Sequence, residues 1–91
     1  MGKKHIKKKD IVETLEAHFP DAKVNIKWDD ENAHYNGRIL WAGFENQSLL
    51  ERQHSVFEVL RKAFGRDETR EAFSMLFAYT PYEYELLEAV A

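Results

Sequence analysis

At 91 residues and 10.7 kDa the chain has room for one small domain, and its 44% hydrophobic and 13% aromatic residues supply a single core, which excludes a two-domain enzyme and disorder by composition. It contains no cysteine, so disulfides, zinc–thiolate sites, iron–sulfur centres held by its own thiolates and a cysteine nucleophile are excluded together. The net charge of −3 conceals a split: residues 1–9 carry five lysines and no acid, while the rest sets 8 basic against 16 acidic side chains, a net of −8.

Lys3, Lys4, Lys7, Lys8 and Lys9 make residues 1–9 read as a basic, flexible leader ahead of a single domain over 10–91. Such an arm either stays solvated or makes weak phosphate contacts, whereas the acidic body opposes a broad nucleic-acid face. No apolar run follows the lysines and no stretch approaches bilayer-spanning length, so the expectation is a cytoplasmic protein without membrane contact.

Asp10 and Glu13 have capping-box spacing, and Ile11, Val12, Leu15, His18 and Phe19 recur on one helical face until Pro20, which predicts a helix from Asp10 to about His18. Lys23 to Trp28 alternates, predicting a strand with Val24, Ile26 and Trp28 toward the core. The polar residues Asp29 to Asn32 open a loop ending near Asn36-Gly37, and Arg38 to Ala42 follows as a short strand antiparallel to the first. Ser48 and Glu51 form a second capping-box pair, after which Leu49, Gln53, Val56, Phe57, Leu60 and Phe64 trace one stripe ending at Gly65. Arg66 to Arg70 reads as a connecting turn or a single helical turn. The apolar run Ala72 to Tyr79, with Phe73, Met75, Phe77 and Tyr79 alternating, predicts a central or covered strand. Thr80, Pro81 and Glu83 then begin a last helix that carries Leu86, Leu87 and Val90 inward. The order α-β-β-α-(α)-β-α is that of an α+β fold, a three-stranded sheet with its helices packed on one face and the other face exposed or used for binding.

Phe44 through Phe57, read as FENQSLLERQHSVF, resembles the second-helix signature of BolA-like proteins. Ala72-Phe73-Ser74-Met75, then Ala78-Tyr79-Thr80-Pro81 and Tyr84, is similar to that family's last strand and C-terminal cap, and His34-Tyr35 stands where the family often has a His-Phe pair. The similarity spans residues 9–87 with about one insertion, near Leu76. It implies a type II KH-like fold and a non-catalytic module that pairs with monothiol glutaredoxins, shares a [2Fe–2S] cluster with them and serves iron–sulfur trafficking or iron and stress regulation. Some members are described as DNA-binding transcription regulators.

Two departures bear on the site. The family's ligand histidine at the start of the last strand falls here on Glu71, or on Ala72 if the insertion is placed differently. In the second helix only Arg52 matches position by position, and His54 is displaced by one residue, about 100° around the helix. His34 lies where the family places its variable ligand or one of its neighbours; Glu71, an oxygen donor better suited to a harder ion, is the second member of the candidate metal-binding pair, and Arg52 and His54 are the candidate partner contacts. Each has a plainer reading as a solvated side chain, and Trp28, Trp41, Phe73, Phe77 and Tyr79 fill the core unless some reach the uncovered sheet face. The cluster is expected to be shared with the glutaredoxin, none being held by this chain alone, which is expected to be a monomer or weak dimer. No nucleophile–base pair or Gly-rich phosphate loop is legible, so catalysis is not expected. A KH-like nucleic-acid-binding regulator and an adaptor that has lost cluster binding are the alternatives. The first is opposed by the acidic body and by Gly43 and Gly65 standing alone rather than in a Gly-x-x-Gly loop.

Overall fold

Residues 6–90 are described by a computed structural model. Its elements are α1 (Lys8–His18), β1 (Lys23–Asp29), β2 (His34–Leu40), a 3-10 turn (Ala42–Phe44), α2 (Leu49–Phe64), α3 (Arg66–Ala72), β3 (Phe73–Tyr79) and α4 (Pro81–Ala89). The strand order is β1-β2-β3, with β1 antiparallel and β3 parallel to β2. A parallel pair needs a crossover, and α2 and α3 supply it.

Both later capping boxes are formed in full, at Ser48–Glu51 and Thr80–Glu83. Each satisfies helix N-terminal donors reciprocally, which fixes where α2 and α4 begin. Gly65 ends α2 at φ 101°, a backbone conformation that disfavours any side chain, and its amide donates to the Arg61 carbonyl. The helical turn expected around Arg66 to Arg70 is a seven-residue helix. It is pinned to α2 by the buried Thr69 hydroxyl, which donates to the Leu60 carbonyl at 3.1 Å.

The core lies between one sheet face and helices α1 and α2, where Ile11, Leu15, Ile26, Ile39, Val56, Leu60 and Leu76 are almost wholly removed from water. Full burial of each such side chain contributes about 1.5–3 kcal/mol before conformational entropy is counted.

Several local expectations are corrected. The first helix begins at Lys8, with Lys7 at the N-cap, so Asp10 sits inside the first turn rather than capping it. Ile6, within the basic segment, is buried in the core and its carbonyl accepts a 2.7 Å hydrogen bond from the Tyr35 hydroxyl. Lys3 and Lys4 lie outside the described residues. The second strand starts at His34, because the turn closes early on Asp29. Its carboxylate accepts from the amides of Glu31 and Asn32 and from the Asn32 side chain, at 3.1, 3.3 and 2.8 Å. Trp28 is 42% exposed, stacking edge-on against Tyr35 at the end of the sheet.

The last strand is an edge strand, and β2 is central. Tyr35 pairs with Phe73 but Gly37 with Leu76, so β3 carries one extra residue where the sequence similarity has its insertion. This bulge flips the alternation. Phe73, Leu76 and Ala78 face the core, whereas Met75 and Phe77 are exposed. The last helix does not bury an apolar face: Leu86, Leu87 and Val90 are 51, 46 and 83% exposed. Its Tyr84 and Leu87 instead border the sheet face that α1 and α2 leave open.

Candidate functional site

The open face takes its side chains from alternate strand positions. Asn25, Lys27 and Asp29 stand opposite Arg38, Asn36 and His34 across β1 and β2. With Met75 and Phe77 of β3 and Tyr84 of α4 they line a trough of about 750 Å3. Phe77 and Tyr79 stack at 6.0 Å with nearly parallel planes, and the Arg38 guanidinium lies over the Tyr84 ring at 4.8 Å. Of the aromatics named from sequence, Phe77 and Tyr79 therefore reach this face. Phe73 is buried in the core, and Trp41 packs on Phe19 and Phe44 while donating to the Pro20 carbonyl. Arg38 and Tyr84 join the face for different reasons: a strand beginning at His34 rather than Arg38 sets the alternation that turns Arg38 to this side, and Tyr84 is brought in by α4.

His34 sits at one end of the trough, half-buried at the head of β2 rather than free in a loop. Its Nδ1 is covered and has no hydrogen-bond partner. An orphaned buried ring nitrogen is costly unless something else satisfies it. Opposite it, Asp29 is held below the ordinary carboxylate range, chiefly by the Asn32 side chain. Because β2 and β3 run parallel and Tyr35 pairs with Phe73, the end of α3 that carries Glu71 approaches the same end of the sheet as His34. Glu71 is exposed and is not part of the trough lining. Among the described residues no group of three or more His, Asp or Glu side chains converges to hold a metal. The His34 imidazole is a donor of the type that one iron of a [2Fe–2S] centre accepts.

Arg52, expected at the surface as a partner contact, is turned into the domain instead. It is 4% exposed, and its guanidinium is consumed inside the fold. Nε donates to the Gln47 carbonyl, Nη1 to the Ala78 carbonyl and to Glu83, and Nη2 to Glu83. The ion pair holds the Glu83 carboxyl down at about 2, the Arg52 hydrogen bonds being the largest cause. His54, one residue further round the helix than an inward position allows, is exposed and borders a groove between α2 and α3. Lys7, Lys8 and Lys9 are exposed at the start of α1, so the basic arm includes a helix N-terminus, where cations are disfavoured by the helix dipole. No helix among the described residues is long and apolar enough to cross a membrane.

No family model matches the sequence, and no curated protein does. Solved structures do. A bolA protein homologue from Coxiella burnetii shares 26% identity and superposes with a TM-score of 0.67 over 89% of this chain and 99% of its own. BolA1 from Arabidopsis thaliana shares 28% identity with a TM-score of 0.65, covering 82% of this chain and 92% of its own. The BolA domain of SufE1 from Arabidopsis thaliana, at 19% identity and a TM-score of 0.66 over 87% of this chain and 99% of its own, shares the fold. Together with the helix-two and C-terminal residues quoted above, these likenesses support a BolA-like family assignment for the chain.

Proposed function

We propose that this chain is a non-catalytic interaction module that lends the His34 imidazole to a [2Fe–2S] cluster carried by a monothiol glutaredoxin, in iron–sulfur trafficking or iron and stress regulation. The observation that carries the reading is the orphaned Nδ1 of His34 at the end of an open, aromatic-lined sheet face. Bound there, the cluster would supply electron-transfer or cargo chemistry. The chain's own part is to hold the imidazole in place through the Asp29 turn and the pairing of β1 with β2. The thiolates must come from the partner, because this chain has none. Glu71 offers an oxygen, which binds a [2Fe–2S] iron less well than the family's imidazole, so the shared cluster is expected to be more labile than one with two histidines.

Anaerobic reconstitution of a monothiol glutaredoxin with and without the full chain tests this. The expected result is a changed visible circular dichroism spectrum with the chain present, and loss of that change in His34→Ala. A spectrum identical to the glutaredoxin homodimer's with the native chain sinks the proposal and leaves the adaptor reading in its place.

A further inference from the structure

A second depression, of about 600 Å3, runs between α2 and α3 to the start of β3, where it meets the trough at Ser74. Its rim carries Arg61, Arg66, Arg70 and His54, and its floor holds the rings of Phe57 and Phe73, edge to face at 6.4 Å. Of the 8 basic side chains outside residues 1–9, three line this one groove, and Glu58 is the single carboxylate in its lining. The concentration follows from local geometry. Arg66 and Arg70 are four residues apart and share a face of α3, and the corner at Gly65 folds that face back onto Arg61. Arg61 reaches Glu58 at 3.8 Å and Arg70 reaches Asp67 at 3.2 Å, both near solvent and therefore weak pairs that an incoming anion can displace. Arg66 has no ion-pair partner among the described residues.

We propose that this groove docks a short acidic peptide segment of a partner protein, with an aromatic or large apolar side chain of that segment seated on the half-buried Phe57, which Phe73 supports from the core, and its carboxylates bridged by Arg61, Arg66 and Arg70. Guanidinium groups meet carboxylates in two parallel hydrogen bonds, and the aromatic floor gives the segment an apolar anchor. Charge complementarity decides between anions. The groove is cationic within a body that is net −8 outside the leader, and Asp67, Glu68 and Glu71 flank it along α3. A short segment places its charges inside the rim, whereas a nucleic-acid strand continues past it over acidic surface. The proposal is independent of cluster sharing at His34.

The test is fluorescence anisotropy of the full chain with a labelled short peptide of Asp and Glu around one Phe, set against a single-stranded oligonucleotide of equal charge. Saturable peptide binding is expected, weakened about tenfold or more in the double variant Arg66→Glu/Arg70→Glu and weakened again when the Phe of the peptide is replaced by Ala. Arg66 and Arg70 are exposed, so the variant should keep the native far-ultraviolet spectrum. Should it not, Arg66→Gln/Arg70→Gln is read in its place, with a loss of the same sign. Absence of peptide binding overturns the proposal. So does binding that survives charge reversal, which would place it on the lysine arm, and so does an oligonucleotide that binds as tightly and competes for the groove.

Discussion

Arg52 and Glu83 meet in a two-pronged ion pair, Nη1 to Oε1 at 2.6 Å and Nη2 to Oε2 at 3.0 Å, which ties α2 to the first turn of α4. Glu83 also accepts from the Thr80 amide at 2.9 Å, so one carboxylate closes the α4 capping box and anchors the helix to the domain. This explains how α4 is held although no residue in it is buried.

Replacing Arg52 by Ala leaves the Gln47 and Ala78 carbonyls without their donor and Glu83 without its partner. The expected cost is about 3 kcal/mol of unfolding free energy, measured by urea titration. Glu83→Gln alone should cost less, because the amide can still bond to the guanidinium. The double-mutant cycle should show a coupling of about 1–2 kcal/mol. A cycle with no coupling would mean that the pair is additive with its surroundings and does not anchor α4.

The same pair sets an acid limb in stability. Glu83 in the folded state titrates near 2, below the 4.5 of an unperturbed glutamate, so the ionised form favours folding. That contribution is complete above the unperturbed value and is lost as pH falls from about 5 toward 2. The Glu83 side chain is 39% exposed, and solvent screening reduces the contribution to roughly 1–2 kcal/mol. In Glu83→Gln the slope of stability against pH over this window should flatten; an unchanged slope would assign the acid limb to other carboxylates.

Gly37 lies in the central strand, where a Cβ would run into the backbone carbonyl of Asn25 on β1. Because the obstacle is backbone, Gly37→Ala should cost about 3 kcal/mol or more and disturb the β1–β2 register that positions His34. Melting temperature and amide exchange of β1 report this. A variant with wild-type melting would show that the two strands can separate locally at no cost.

The hydrogen bond from Tyr35 to the Ile6 carbonyl fastens the segment ahead of α1 to the central strand. Tyr35→Phe removes it and should cost about 1 kcal/mol, with faster amide exchange in the first turn of α1. Unchanged exchange there would mean that burial of Ile6 alone holds the segment.

What was legible in the sequence is what local chemistry decides. Ser48, Glu51, Thr80, Pro81 and Glu83 specify helix starts through bonds within four residues, and the stripe through Val56 and Leu60 specifies the buried side of α2. What was not legible depends on partners distant in the chain. Arg52 looked like a surface contact because nothing nearby in sequence announces Ala78 or Glu83, 26 and 31 residues away. Leu86 and Leu87 looked like core because the pattern cannot say that no further layer covers the far side of the sheet. The groove at Arg66 and Arg70 was hidden because those residues read as a connecting turn, and only the fold sets them beside Phe57 and Phe73.

Glu71 gives the sharpest functional prediction, since the register brings the end of α3 to the same end of the sheet as His34. Glu71→His replaces an oxygen donor by the nitrogen donor that a [2Fe–2S] iron accepts more readily. With a glutaredoxin under anaerobic reconstitution, the variant should form a heteromeric cluster that survives longer than the native chain's, followed by the decay of visible circular dichroism. The gain should disappear in Glu71→His/His34→Ala if both residues contribute to one centre. Equal decay in native and Glu71→His proteins would mean that the α3–β3 junction does not reach the cluster. A mixed cluster formed only by the variant would show that the native chain keeps the fold without the metal role.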